Sequence, residues 1–362
     1  MVSVDNLHQD VLELVLVHLD AHDLCSAILV SRSFAAAAIP RLYCTLFFRR
    51  EQAIKFTRTS PFATVLAHPE YSVYVHAIDI RSTPTYKSKP HPQFLKQYTE
   101  AAARVVEEPS RPASKLSPMC HDLNETVLEA VLMNTPQLVT LHVIRCSKIG
   151  PTTILRLSIY TPMLQSLAMT IFGPVSPTWQ PTFLVNLAEL RLDIPGTDAR
   201  AGNLASVVSY FREWKPPLSS IHVRSGITIP HVSVSELLDG YALTLKTLVF
   251  HCPLEVASIL VVCSRCRNLQ ELAIPIPVKE FPDFGNALKH LKYLHTLIDT
   301  RSLSDEPGLH ITRERVMHLL SICRGLQNIV SGHRKWIGGA GRLRIKLQKY
   351  PSDYNHWLIP PQ

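Results

Sequence analysis

The sequence predicts a two-part α/β fold: a three-helix module at the amino terminus, then a solenoid with parallel strands on a concave face and helices outside. Three observations predict it. Apolar residues near the start recur at helical spacing, a leucine unit recurs throughout the body, and its period matches that of stacked strand-and-helix repeats. At 362 residues the chain exceeds the usual single domain of about 100 to 200 residues, which suits a module joined to an array. With 46% hydrophobic and 18% charged residues it is too apolar to be a disordered chain.

The helical module comes first. Leu7, Val11, Leu12, Val15, Leu16 and Leu19 fall on one face of a helix. Asp20-Ala21-His22-Asp23 breaks the pattern, and Asp23 is expected to cap a second helix through Leu24, Ala27, Ile28 and Val30. The run Ala35 to Ala38 favours a third short helix that Pro40 should end.

The order Leu7, Val11-Leu12, Leu19, Asp23-Leu24, Val30-Ser31-Arg32, Phe34, Ala38, Pro40, Leu42-Tyr43 resembles the F-box pattern of fungal F-box-like proteins over about forty residues. His8 stands where that family usually has proline, and Ser31 and Phe34 replace its frequent cysteine and tryptophan. The resemblance implies docking on the Skp adaptor and, through it, a cullin, with Leu7, His8, Val11, Leu12, Val15, Leu16, Leu19 and Leu24 as docking residues. Such a chain is an adaptor for ubiquitin ligation that holds an unidentified protein substrate and makes or breaks no bond itself. A cap on a repeat scaffold unconnected to ubiquitin ligation is the alternative.

The body repeats one unit: leucine, two spacers, leucine, one spacer, apolar residue. Copies stand at Leu138, Leu141, Val143; Leu164, Leu167, Met169; Leu187, Leu190, Leu192; Leu218, Ile221, Val223; Leu245, Leu248, Phe250; and Leu269, Leu272, Ile274. Weaker copies follow at Leu294 and Leu297 and at Leu326 and Ile329, and a degenerate one, Val75, Ile78, Ile80, precedes them. The spacing of roughly 23 to 32 residues is that of leucine-rich repeats, in which each strand and its following helix bury their apolar faces only by stacking on neighbours. Helices are expected at 124–133, 204–214, 232–241, 254–263 and 311–321. Residues alternating with the leucines should face a partner: Thr140, His142, Glu189, Arg191, Asp193, His222, Arg224, Thr247 and His251.

These features divide the chain into an F-box-like module at 1–48, a linker with a possible first repeat at 49–81, and a Pro/Ser/Lys-rich inserted loop at 82–119. Repeats follow at 120–330, then a carboxyl-terminal cap at 331–362. The glycines Gly338, Gly339 and Gly341 with the alternation Leu343, Ile345, Leu347 suggest a closing strand or hairpin.

Catalytic signatures are missing: there is no Gly-x-Ser-x-Gly elbow, phosphate loop or His-Glu-x-x-His pair, so no catalytic residue or cofactor is expected. Cys263 and Cys266 have a spacing zinc can use, but Cys266 and Cys323 each precede a repeat leucine by three residues, as Thr135 and Thr161 do. A small buried repeat position explains them, and no metal is expected. The net charge of +8 is uneven, with five acids in 1–48 and eight Lys or Arg without an acid in 315–352. Cations there interleave with Trp336, Tyr350 and Trp357, yet no nucleic-acid-binding signature accompanies them, so no nucleic-acid partner is expected. No apolar run approaches the roughly 20 residues that span a bilayer and no secretory signal is evident, so a cytoplasmic or nuclear protein without disulfides is expected.

Overall fold

The computed structural model describes residues 7–49, 64–65, 67–81, 125–146, 148–172, 184–195, 201–277, 279–300, 311–331, 334–339 and 342–347. The loop expected at 82–119 lies outside them. The chain forms two compact units, Met1–Met169 with Pro181–Asn186, and Thr170–Gln180 with Leu187–Gln362.

The first unit opens with helices α1 (Gln9–Leu16), α2 (Ala21–Ile28) and α3 (Arg32–Cys44). The break between α1 and α2 is set by Asp20 rather than Asp23: Asp20 is the N-cap of α2 and accepts a hydrogen bond from the Asp23 N–H at 2.9 Å. Asp23 lies inside the first turn, where its charge complements the helix dipole. Ser31 caps α3 in the same manner, accepting from the Phe34 N–H. Pro40 does not end α3, which runs on to Cys44. A proline inside a helix loses a backbone hydrogen bond, but here packing beyond it outweighs that loss. Leu42 packs on the module's core, and the Tyr43 ring stacks on Tyr71 at 4.9 Å.

Helix α3 leads directly into strand β1 (Thr45–Arg49), which opens a parallel sheet with β2 (Ala77–Arg81), β3 (Thr140–Ile144) and β4 (Ser166–Thr170) in sequence order. Strand β2 is the degenerate copy at Val75, Ile78 and Ile80. Strand β1 carries a still earlier one, with Leu46 opposite Ile78 and fully buried. The connecting helices are α4 (Glu125–Met133) and α5 (Pro151–Leu157).

In the second unit β5 (Glu189–Ile194), β6 (Ser220–Ser225), β7 (Thr247–His251), β8 (Glu271–Ile274), β9 (Thr296–Asp299) and β10 (Asn328–Ser331) are parallel and again in sequence order. Helices α6 (Ala201–Trp214), α7 (His231–Tyr241), α8 (Val256–Arg265), α9 (Phe281–Leu288) and α10 (Arg313–Ile322) alternate with them. The sheet then reverses: β11 (Arg334–Gly339) and β12 (Arg342–Leu347) form an antiparallel hairpin on β10. Helix α9 was hidden in the sequence by Pro282 and Gly285. Proline sits in its first turn, where no hydrogen bond is lost, and Phe281, Phe284, Gly285 and Leu288 form the buried face of the helix.

One turn geometry joins helix to strand in five of the repeats, whereas the N–H groups of Leu218 and Leu245 bond Pro216 and Tyr241 instead. The N–H groups of Leu138, Leu164, Leu269, Leu294 and Leu326 bond the carbonyls of Thr135, Thr161, Cys266, Leu291 and Cys323 respectively. Those five acceptor residues are all buried, so the recurring slot takes a small or apolar side chain. The strand leucines beyond it form the core, with Leu138, Leu141, Leu164, Leu167, Leu187, Leu190, Leu245, Leu248, Leu269 and Leu272 all inaccessible.

Candidate functional site

The helical module has its own core, made of Leu12, Leu16, Leu24, Ala27, Ala37 and Ala38, with Leu7, Leu19, Ile28, Phe34 and Leu42 packed against it. Of the expected docking residues, Leu12, Leu16 and Leu24 are buried in that core, and the spacing that suggested them reports the inward face of each helix. Leu7 and Leu19 are half-buried against the same core, and His8 is exposed. Val11 and Val15 are exposed, and the sequence reading missed four more: Leu14, Val17, Leu29 at 86% exposure, and Val30. Val11, Leu14 and Val15 recur at i, i+3 and i+4, so they share a second, outward face of α1. A helix apolar on both faces leaves one face for another molecule. Full burial of each such side chain contributes about 1.5 to 3 kcal/mol.

The strand face opposite the leucines is more closed than alternation alone implied. Thr140, His142, Glu189, Arg191, Arg224, Thr247 and His251 are partly accessible, whereas His222 is buried and Asp193 retains 1% exposure. Asp193 accepts a hydrogen bond from the Thr170 hydroxyl at 3.2 Å and lies 3.9 Å from Arg224. The two are corrected to buried positions that order their neighbours. Glu189 pairs with Arg191 at 2.7 Å and sits 3.5 Å from His222. In the first unit the Arg81 guanidinium forks onto Asp79 with two bonds of 2.6 Å, and His142 lies 4.0 Å from the same carboxylate. Burial pushes the Asp79 carboxyl up, but His142 and Arg81 pull it down further, leaving it below the usual carboxylate range. In β7 to β10 the middle of this face is apolar: Val249, Ala273, Ile298 and Val330 align across the strands and are buried together. Their signal lies in the sequence, one residue after Leu248, Leu272, Leu297 and Ile329.

Residues 4–39 match the family model of the F-box domain. The chain carries an F-box domain. No curated protein matches the chain. F-box domains bind the Skp adaptor within Skp-cullin-F-box complexes. The matched segment coincides with α1, α2 and most of α3, and its departure at His8 is compatible with the family's proline: His8 is the N-cap of α1 at φ −60° and ψ 144°, angles proline adopts. His8→Pro is expected to raise the thermal stability of the F-box by about 0.4 to 1 kcal/mol, by restricting the unfolded chain. The exposed His8–Asp10 contact it removes contributes little. Calorimetric unfolding of the two chains checks this.

The thiols are built for packing. Burial pushes Cys266 up to about 12 and Cys323 up to about 11; burial and the neighbouring thiols Cys266 and Cys323 push Cys263 higher still. Among the described residues, the one group of three or more His, Cys, Asp or Glu ligand atoms within 4.8 Å of one another is Asp20, His22 and Asp23, all exposed. Among the described cysteines, timed alkylation of the native protein at pH 8 should modify exposed Cys25 first and spare Cys263 and Cys266 until unfolding. Early labelling of that pair would mean the slot is not closed.

Proposed function

We propose that this F-box protein is the substrate-recognition adaptor of a Skp-cullin-F-box type ubiquitin ligase. It docks the Skp adaptor through the outward apolar residues of α1 and the end of α2, and it holds a protein substrate on its repeat surface. The observation that carries the reading is the F-box match over 4–39 on a module that leaves Val11, Leu14, Val15, Val17, Leu29 and Val30 exposed. The strand-and-helix order, its shared turn and its leucine register support reading the body as leucine-rich repeats. Partly accessible polar residues on the strand face, among them Thr140, Glu189, Arg191, Thr247 and His251, are the substrate contacts of this reading. The chain itself is not an enzyme in this scheme: it makes no bond and works in the cytoplasm or nucleus by holding two proteins near a cullin.

Reconstitution tests the proposal. On gel filtration the chain should comigrate with a purified cullin only when the Skp adaptor is present. A chain that elutes alone from the three-component mixture overturns it.

A further inference from the structure

We propose that the terminal hairpin β11–β12 is a binding surface for an acidic polypeptide segment. The register carries the middle of the face opposite the leucines from Val249, Ala273, Ile298 and Val330 onto Lys335 and then onto Lys346. On that same face Ile337 opposes Arg344 and Gly339 opposes Arg342. An apolar row thus gives way, over two strands, to four cationic positions, and residues 334–347 contain five Lys or Arg and no acid.

Two features say that this charge is not a structural necessity. Lys335 and Lys346 are directly opposite, and like charges at such positions destabilise a strand pair. Among the described residues Lys335 and Arg344 make no ion pair, and the strands beside them on this face present Asn328, Val330, Thr296 and Ile298, none of them acidic. A run of cationic positions at the end of a sheet is complementary to carboxylates. Nucleic acid fits less well, because among the described residues the hairpin's aromatic ring is not available to stack on bases. Trp336 pairs with Ile329 on the leucine face and is 2% exposed. The surface works on the chain alone and does not depend on Skp docking.

The test uses the full chain, at low salt, in fluorescence anisotropy with a labelled Glu-Gly repeat peptide and, separately, an oligouridylate of matched charge. Saturable peptide binding is expected, weakened about tenfold or more by the double change Lys335→Glu and Arg344→Glu, and unaltered by Arg267→Glu at an exposed cation elsewhere in the second unit. Equal weakening by Arg267→Glu, no saturable binding by the parent chain, or tighter binding of the oligouridylate overturns the proposal. Thermal unfolding supplies a second readout that needs no ligand. Lys335→Glu alone should raise the melting temperature by relieving the opposed lysines, and a lowered one contradicts the claim that the cluster is maintained at a cost to the fold.

Discussion

Leu16→Asp is expected to unfold the helical module, while Val15→Asp, one residue away, leaves it folded and removes docking. Leu16 is 1% exposed in a core with only five other fully buried side chains. Replacing it forfeits about 1.5 to 3 kcal/mol of burial and places a carboxylate among Leu12, Leu24 and Ala38, at a further cost of several kcal/mol. A module this small does not survive both losses. Val15 is half in water, so a carboxylate there is solvated and the helix persists. The same holds for Leu29→Asp at the end of α2. Amide hydrogen exchange over 9–44 separates the cases. Protection should vanish in Leu16→Asp and persist in Val15→Asp and Leu29→Asp, although all three lose the Skp adaptor.

Asp79→Ala is expected to destabilise the first unit by about 1 to 3 kcal/mol, because it removes the carboxylate that the buried Arg81 guanidinium forks. The sign of the pH dependence follows from the same contacts. The Asp79 carboxyl titrates lower in the folded chain than the ordinary value of about 3.9 in the unfolded one, so its contribution is complete above about pH 4. It is lost as pH falls through the lower, folded value. Acid unfolding of the parent should therefore show a contribution that Asp79→Asn lacks, and exchange of the β2 and β3 amides should report it locally. Equal acid profiles for the two chains would mean that the fork adds nothing to the fold.

Much of this was legible in the residues. Helices α1 and α2 follow from leucines at helical spacing, and β3 to β10 from the repeated leucine register, because both patterns are written by burial. The slot before β3, β4, β8 and β10 was readable as well, since Thr135, Thr161, Cys266 and Cys323 share one turn. What could not be read was decided by tertiary contacts. The continuation of α3 through Pro40 depends on Leu42 and on the Tyr43–Tyr71 stack, and α9 on the burial of Phe281, Phe284 and Leu288. Strand β1 was masked by adjoining a helix without a break. The proposed docking residues were half legible for a plain reason: a helix that buries one apolar face and exposes another spaces both at three and four residues. Periodicity found the apolar residues of α1 but could not divide Leu12 and Leu16 from Val11 and Val15.

The most direct measurement is isothermal titration of purified Skp adaptor into the full chain, beside the Val15→Asp and Leu29→Asp variant shown to be folded. Saturable one-to-one binding by the parent and none by the variant is the expected result. A folded parent that binds no Skp adaptor would contradict the adaptor reading and leave a repeat scaffold whose apolar helix α1 serves another partner.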